Sequence, residues 1–393
     1  MTTLTQQSTE HDTQASVNAD VTHVRVAQIM GRFGGGGAER VTYNLARQLH
    51  LMGGESICIG IEGRGDYADL DDSGMPVISL DAKPGSKLSV IGAMMRLRRV
   101  IKQRKLNLLH VHGGGGSLAF TLLALLGMRN KPKVVFTFHH RDLVYVEWGW
   151  KLYLRLWCLR RCEVIYGDSH EIRDKVAQVQ QNAYKARVFA NAVPMSDAIE
   201  NIGAPIPTVV WMARVAPVKD PQALIRAAGA LKKEGLGFKI VMAGEARDYE
   251  QDFMDETRAL IDEHDVADRV AMPGWVHDTF DLMRGAQIGV QTSLSEGLSL
   301  TLLEQMMAGL AIVATDVADT SVAIEDGATG LLIPEQNDEA LIDALRRVIA
   351  DVDLRRSLAD NARRAAIERF SIDACATRTA AEYRAVIEGR TLA

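Results

Sequence analysis

VRVAQIMGRFGGGGAERVTYNLARQLHLM, residues 24–52, opens on a short apolar run, Val24 to Met30, of the kind that forms a strand buried on both faces. A glycine loop, Gly34 to Gly37, follows, and Ala38 to Met52 then carries Val41, Leu45 and Leu49 at helical spacing. Strand, loop and helix in that order make one unit of an open α/β sheet. Glycine lacks a Cβ and reaches positive φ cheaply, so the loop lets a ligand come close to the backbone. Its amides precede a helix N-terminus, which favours an anion such as a diphosphate. The spacing fits the dinucleotide pattern G-x-G-x-x-G poorly, and no carboxylate stands at the second strand end to hold a ribose, so NAD is disfavoured. A plain tight turn is the alternative reading of the loop.

The same alternation runs on in both directions of the argument. Strands are predicted at Ser56 to Ile61, Val77 to Leu80, Leu108 to His112, Val134 to His139 and Val164 to Gly167, with helical segments between them. A second series is predicted at Thr208 to Met212, Phe238 to Ala243, Val270 to Pro273, Ile288 to Gln291, Ala311 to Thr315 and Gly330 to Ile333. Two doubly wound parallel sheets follow. A chain of 393 residues suits two domains of that size. The expected division is a disordered tail over 1–22, a first Rossmann-like domain over 23–195, a hinge over 196–207, a second Rossmann-like domain over 208–371, and a C-terminal helical segment over 372–393 for which packing back on either domain is open, the first being the one assigned. Pro194, Gly203, Pro205 and Pro207 mark the boundary region.

Composition narrows the class. With 47% hydrophobic and 24% charged residues the chain reads as an ordinary globular protein. Its four cysteines show neither a CxxC pair nor metal-finger spacing, so a reducing, cytoplasmic setting is expected. Residues 1–22 are polar, without Lys or Arg and without an apolar core of the secretory type. No apolar stretch approaches the roughly 20 residues of a membrane span. Charge is uneven: residues 23–195 hold 25 Lys or Arg against 14 Asp or Glu, whereas 196–393 hold 20 against 33. The first domain should therefore favour an anionic surface. No nucleic-acid motif accompanies that charge.

Besides the glycine loop, three groups of residues carry candidate chemistry. His139 ends the strand VVFTFH at the edge where open α/β sheets bind ligands, and His140, Arg141 and Asp142 follow it directly, which leaves open which histidine faces inward. A satisfied structural histidine is the competing reading. Arg214 and Lys219 follow the first strand of the second half and suit a diphosphate leaving group without a metal; solvated surface cations are the alternative. The block SEGLSLTLLEQMMAGLAIVATD, from Ser295, is the most specific signal: Glu296 lies in a loop, Ser299 to Thr301 start a helix, and Glu304 falls in its first turns. Free amides at such a start hold phosphate, and the two carboxylates can accept hydrogen bonds from ribose and sugar hydroxyls. Two unrelated helix carboxylates would be the bland reading.

Taken together with GGGGAERVTYNLARQL, LLHVHGGG, VVFTFHH, GDSHEIRDKV, ANAVP, ARVAPVKDPQALIRAA, VMAGEARD and MPGWVHD, the chain resembles the retaining glycosyltransferase family 4, group 1 of the GT-B enzymes, over nearly everything after residue 22. The resemblance implies two Rossmann-like domains facing across a cleft and transfer of a sugar from a UDP or GDP donor to a glycan or lipid-linked hydroxyl, in cell-surface polysaccharide or lipopolysaccharide synthesis. It implies neither cofactor nor metal. Position by position, Gly36 and Gly37 would lie near the diphosphate and acceptor, Arg214 and Lys219 on the diphosphate, Glu296 on the donor sugar and Glu304 on the ribose. His139 would stand beside the reacting sugar, Val276 would meet the base through its backbone, and Leu300 and Thr301 would offer helix-start amides. Asp220 and Ala192 replace glycines frequent in the family. A nucleotide-sugar 2-epimerase or phosphorylase on the same fold, and a non-catalytic nucleotide-sugar or glycan-binding partner, are the rival readings.

Two basic segments suggest a peripheral site on an anionic membrane. Lys87–Lys105 sets seven basic residues beside an apolar face of Val90, Ile91, Met94, Leu97 and Ile101, and Trp148–Arg161 combines Trp148, Trp150 and Trp157 with Lys151, Arg155, Arg160 and Arg161. The alternative is that both are ordinary helices whose apolar faces meet the sheet.

Overall fold

A computed structural model describes residues 21, 23–34, 36–65, 73–139, 150–180, 186–189, 191–276 and 278–390. The first sheet is built from β1 (Arg25–Met30), β2 (Glu55–Gly60), β3 (Val77–Ser79), β4 (Leu108–His112), β5 (Lys133–Phe138), β6 (Val164–Gly167) and β7 (Ala186–Val188). Helices α1 (Gly37–Leu51), α2 (Lys87–Arg104), α3 (Gly115–Ala124), α4 (Trp150–Leu159) and α5 (His170–Gln180) cover its faces. Its strand order is β3-β2-β1-β4-β5-β6-β7, and every pairing is parallel.

The second sheet repeats the plan with β8 (Thr208–Met212), β9 (Lys239–Ala243), β10 (Val270–Gly274), β11 (Ile288–Gln291), β12 (Ala311–Thr315) and β13 (Leu331–Ile333) in the order β10-β9-β8-β11-β12-β13. Around it lie α6 (Pro221–Lys233), α7 (Gln251–Glu263), α8 (Thr279–Arg284), α9 (Leu300–Ala308), α10 (Thr320–Ala323), α11 (Asp338–Ala350) and α12 (Val352–Phe370). Strand order reverses beside β1 in one sheet and beside β8 in the other. That reversal opens a crevice at the carboxyl ends of the strands.

The architecture expected from the sequence is present, and strand ends fall within a residue of those predicted. The short edge strand β7 escaped prediction. All five residues of β4 and of β12 are buried, as the continuous apolar run of β12 requires. The last helix, α13 (Ile372–Glu388), starts at Ser371, whose hydroxyl caps Ala374 N–H at 3.3 Å, and lies against α1. Its Ile372, Ala376, Ala380 and Val386 join the core under the first sheet with Leu45, Leu108, Val135 and Val164.

One expected face needs correcting. In α2, Ala93, Leu97 and Ile101 are buried and Val90 and Met94 lean on the same core, so most of the apolar stripe assigned to a membrane packs against the first sheet. The exposed apolar residues are Leu88, Ile91 and Met95, a neighbouring stripe at helical spacing. In the second basic segment, Trp157 leans on the same core with the Arg161 guanidinium 3.7 Å from its ring centre. Trp148 lies outside the described residues, and none of the helices among them is long and apolar enough to cross a membrane.

Candidate active site between the two sheets

The carboxyl ends of both sheets converge on a cavity of ≈ 540 Å³. The first sheet contributes Gly37 and Ala38 at the start of α1, His139 just past β5, and Asp168 just past β6. The second contributes Arg214 and Lys219 after β8, Gln291 at the end of β11, Ser293 and Glu296 after it, and residues Gly297 to Leu302 where α9 begins.

Lys219 sits on a short 3-10 turn, Pro217–Lys219, whose position is set from β11: Thr292 Oγ1 donates to the Lys219 carbonyl at 2.9 Å and receives the Trp211 indole N–H at 3.1 Å. From there the Lys219 ammonium donates to the Glu296 carboxylate. Glu296 also accepts from Ser293 Oγ at 2.9 Å. Arg214 pairs with Glu250 at the wall of the second domain. Neither cation is a solvated surface charge.

Two helix N-termini face the cavity. In α9 the Ser299 hydroxyl caps Leu302 N–H at 3.3 Å, leaving the first amides, those of Leu300 and Thr301, without helical partners at the cavity wall. Helix α1 begins opposite, at Gly37, where a Cβ would stand 3.1 Å from Leu300 Cδ1. Glycine lets the two helix starts approach this closely. Both macrodipoles present positive ends to the same space, which suits a bound anion.

Three site residues are placed differently. Glu304 does not line the cavity: it is 2% exposed, its carboxylate 2.6 Å from the Arg40 guanidinium of α1. Burial raises its carboxyl and Arg40 pulls it back. Gly36 caps α1 behind Gly37. Val276, past β10, leans on the apolar core beside α8 and α9 rather than on the cavity. His139 does line the cavity and is 7% exposed, while His140, Arg141 and Asp142 lie outside the described residues.

Sequence reasoning passed over several residues found here. Asp168 has a buried Oδ1 with no hydrogen-bond partner, and its carboxyl is pushed up to about 7 by burial and by the nearby Asp319. Asp319 in turn accepts from the His170 backbone N–H at 2.8 Å. Asn191 Nδ2 donates to the Leu298 carbonyl at 2.6 Å, a further link between the two halves. Only the GDSHEIRDKV stretch hinted at Asp168, as the polar end of a buried strand.

Behind His139 lies a polar network inside an otherwise apolar core. His139 Nε2 is 3.0 Å from His112 Nδ1; His112 Nε2 is 2.8 Å from Gln28 Oε1; Gln28 Nε2 donates to Tyr383 OH at 3.1 Å. Burial, followed by the neighbouring histidines, holds His110 and His112 well below the ordinary imidazole range, so both are neutral.

Comparison with known proteins agrees with this arrangement. Residues 35–197 match the family described as Glycosyltransferase Family 4, and residues 196–365 match Glycosyl transferases group 1. The alpha-D-kanosaminyltransferase of Streptomyces kanamyceticus is 29% identical over 182 residues, 46% of each chain. The lipopolysaccharide core biosynthesis mannosyltransferase LpcC of Rhizobium leguminosarum is 26% identical over 235 residues, 59% of this chain and 67% of that one. The chain thus spans about half the length of the first of these relatives. Among solved structures, Anabaena HepE in complex with UDP superposes with a TM-score of 0.77 at 18% identity, covering 92% of this chain and 100% of that one, which shows a shared GT-B fold.

Proposed function

The chain belongs to the group 1, family 4 glycosyltransferases, and from that premise we propose that it moves a sugar from a UDP or GDP donor to a hydroxyl of a glycan or lipid-linked acceptor, retaining the anomeric configuration. The observation that carries this reading is the convergence of Lys219, Arg214 and two helix N-termini on one cavity that also holds Glu296 and His139.

The diphosphate lies against the α9 amides of Leu300 and Thr301, with Lys219 and Arg214 offsetting the charge that grows as the sugar–oxygen bond breaks. Glu296 gives up part of its contact with Lys219 to orient donor hydroxyls, and His139 faces the reacting sugar from the other domain. The acceptor oxygen bonds to the anomeric carbon on the face the phosphate leaves, and its proton passes to the departing phosphate oxygen. Positioning supplies most of the acceleration, and no protein nucleophile is needed. Glu304 serves the donor site from behind α9 with Arg40, reaching the ribose when the nucleotide is bound, and Val276 offers its backbone to the base. Residues 196–207 act as the hinge about which the domains close and exclude water.

The reading extends to work on the cytoplasmic face of a membrane, in the synthesis of surface polysaccharide or lipopolysaccharide, and the excess of basic residues in the first domain supports it. The contact stripe is Leu88, Ile91 and Met95, beside the basic groove of Arg98, Lys102, Lys105 and Arg129. A thermal-shift panel of UDP- and GDP-sugars tests the donor assignment. One nucleotide series should raise the melting temperature with the diphosphate alone nearly as effective, because binding to the native state stabilises it by mass action. No shift with either series would overturn the reading.

A further inference from the structure

We propose that Tyr383, on the C-terminal helix α13, is a positioning residue that sets the proton arrangement of His139 through Gln28 and His112. The proposal rests on the reading that His139 acts on the reacting sugar.

Each step follows from which atom must donate. Gln28 Nε2 donates to Tyr383 OH at 3.1 Å, so the tyrosine spends its own hydrogen elsewhere, on His110 Nδ1 at 2.5 Å. His110 then carries its hydrogen on Nε2, which meets Thr137 Oγ1 at 2.6 Å. The amide orientation that satisfies Tyr383 turns Gln28 Oε1 toward His112. This oxygen only accepts, so His112 Nε2 must donate across the 2.8 Å between them. A neutral His112 consequently offers a lone pair at Nδ1. Thr42, 3.3 Å from that nitrogen, directs its hydroxyl hydrogen to the Ala38 carbonyl at 2.8 Å, so the lone pair falls to His139 Nε2–H at 3.0 Å. The hydrogen on the His139 nitrogen facing inward is thereby assigned from a residue 355 positions from Gln28 in the chain.

Gln28, His110, Thr137 and Tyr383 are each 0% exposed and His112 is 1% exposed, so all are costly to bury unless satisfied. Docking of α13 does not require them. The helix already buries Ile372, Ala376, Ala380 and Val386, and the adjacent Glu382 accepts from Tyr166 OH at 2.6 Å. The network also branches, which makes it testable: Gln28 and His112 lie on the route from Tyr383 to His139, whereas His110 and Thr137 form a side arm.

The experiment compares Tyr383→Phe, Gln28→Leu and Thr137→Val as full-length proteins. Two readouts are taken: the imidazole ¹⁵N resonances of His139, assigned with His139→Asn, and nucleotide release from UDP-glucose and GDP-mannose. Tyr383→Phe and Gln28→Leu should each move the His139 ring resonances and lower kcat about tenfold with donor KM within twofold, and their combination should lose no more than either alone. Thr137→Val should lower Tm yet leave the His139 resonances and kcat at wild-type values. Unmoved His139 resonances in folded Tyr383→Phe and Gln28→Leu, or an equal effect of Thr137→Val, would overturn the proposal. Wild-type turnover by His139→Asn would instead remove the catalytic reading of His139, with the ring resonances still deciding the relay.

Discussion

Lys219 and Glu296 are largely buried ion-pair partners, 20% and 15% exposed, in the wall of the cavity. Replacing Lys219 by Ala takes the ion-pair partner from Glu296 and removes one of the two cations that line the cavity. The expected outcome is a loss of about 10²- to 10³-fold in kcat/KM with the fold intact, read by steady-state kinetics and circular dichroism. Turnover close to wild type would refute the assignment of Lys219 to the diphosphate. Asp168 offers a different test. Its folded carboxyl, at about 7, lies above its unfolded value, so the native state holds the proton more tightly. The sign follows: stability is full below about pH 4 and is lost as pH rises through 7, by on the order of 4 kcal/mol. Asp168→Asn should therefore melt several degrees above wild type at pH 8 and show a much smaller gap at pH 4; equal melting at pH 8 would contradict a carboxylate whose Oδ1 is buried without a hydrogen-bond partner.

At the scale of the element, the N-terminus of α9 joins stability to binding. Ser299→Ala removes the cap on Leu302 N–H and should cost about 1 kcal/mol of stability. It should also weaken binding of the nucleoside diphosphate several-fold in calorimetry, because the frayed first turn no longer fixes the Leu300 and Thr301 amides. Intact affinity would mean that those amides do not hold the phosphate. This element was legible in the sequence: SEGLSLTLLE sets the cap, the helix start and both carboxylates by local spacing alone. Helix α2 was not read as well. Period 3.6 marks an apolar stripe, yet two stripes a residue apart look alike until the sheet chooses one, and it chose Ala93, Leu97 and Ile101. The remaining stripe carries the membrane prediction: Ile91→Glu with Met95→Glu should abolish sedimentation with vesicles rich in anionic phospholipid, and unchanged sedimentation would remove the membrane contact. Strand β7 was too short for any periodicity, and the Asp319 charge beside Asp168 and the partners of Gln28 and Glu304 come from distant parts of the chain, which no local pattern encodes.

At the scale of the whole molecule, the Arg40–Glu304 pair joins α1 of the first half to α9 of the second directly. Glu304 is buried and its carboxyl is raised even with Arg40 beside it, so removal of the cation leaves a buried carboxylate held by Thr279 and no opposite charge from Arg40. A third of the Arg40 side chain is exposed, which lets water soften the penalty. Arg40→Met should then destabilise by about 1–3 kcal/mol and let the domains part, enlarging the radius of gyration in small-angle scattering. Glu304→Gln on its own removes the buried charge, so the double variant should recover most of the melting temperature lost by Arg40→Met. Nucleotide affinity, by contrast, should stay low in both variants that lack the Glu304 carboxylate. Recovery of stability without recovery of binding would separate the two tasks of this residue, closing the cleft and holding the donor. Recovery of both would assign Glu304 to the interface alone and leave the ribose to another group.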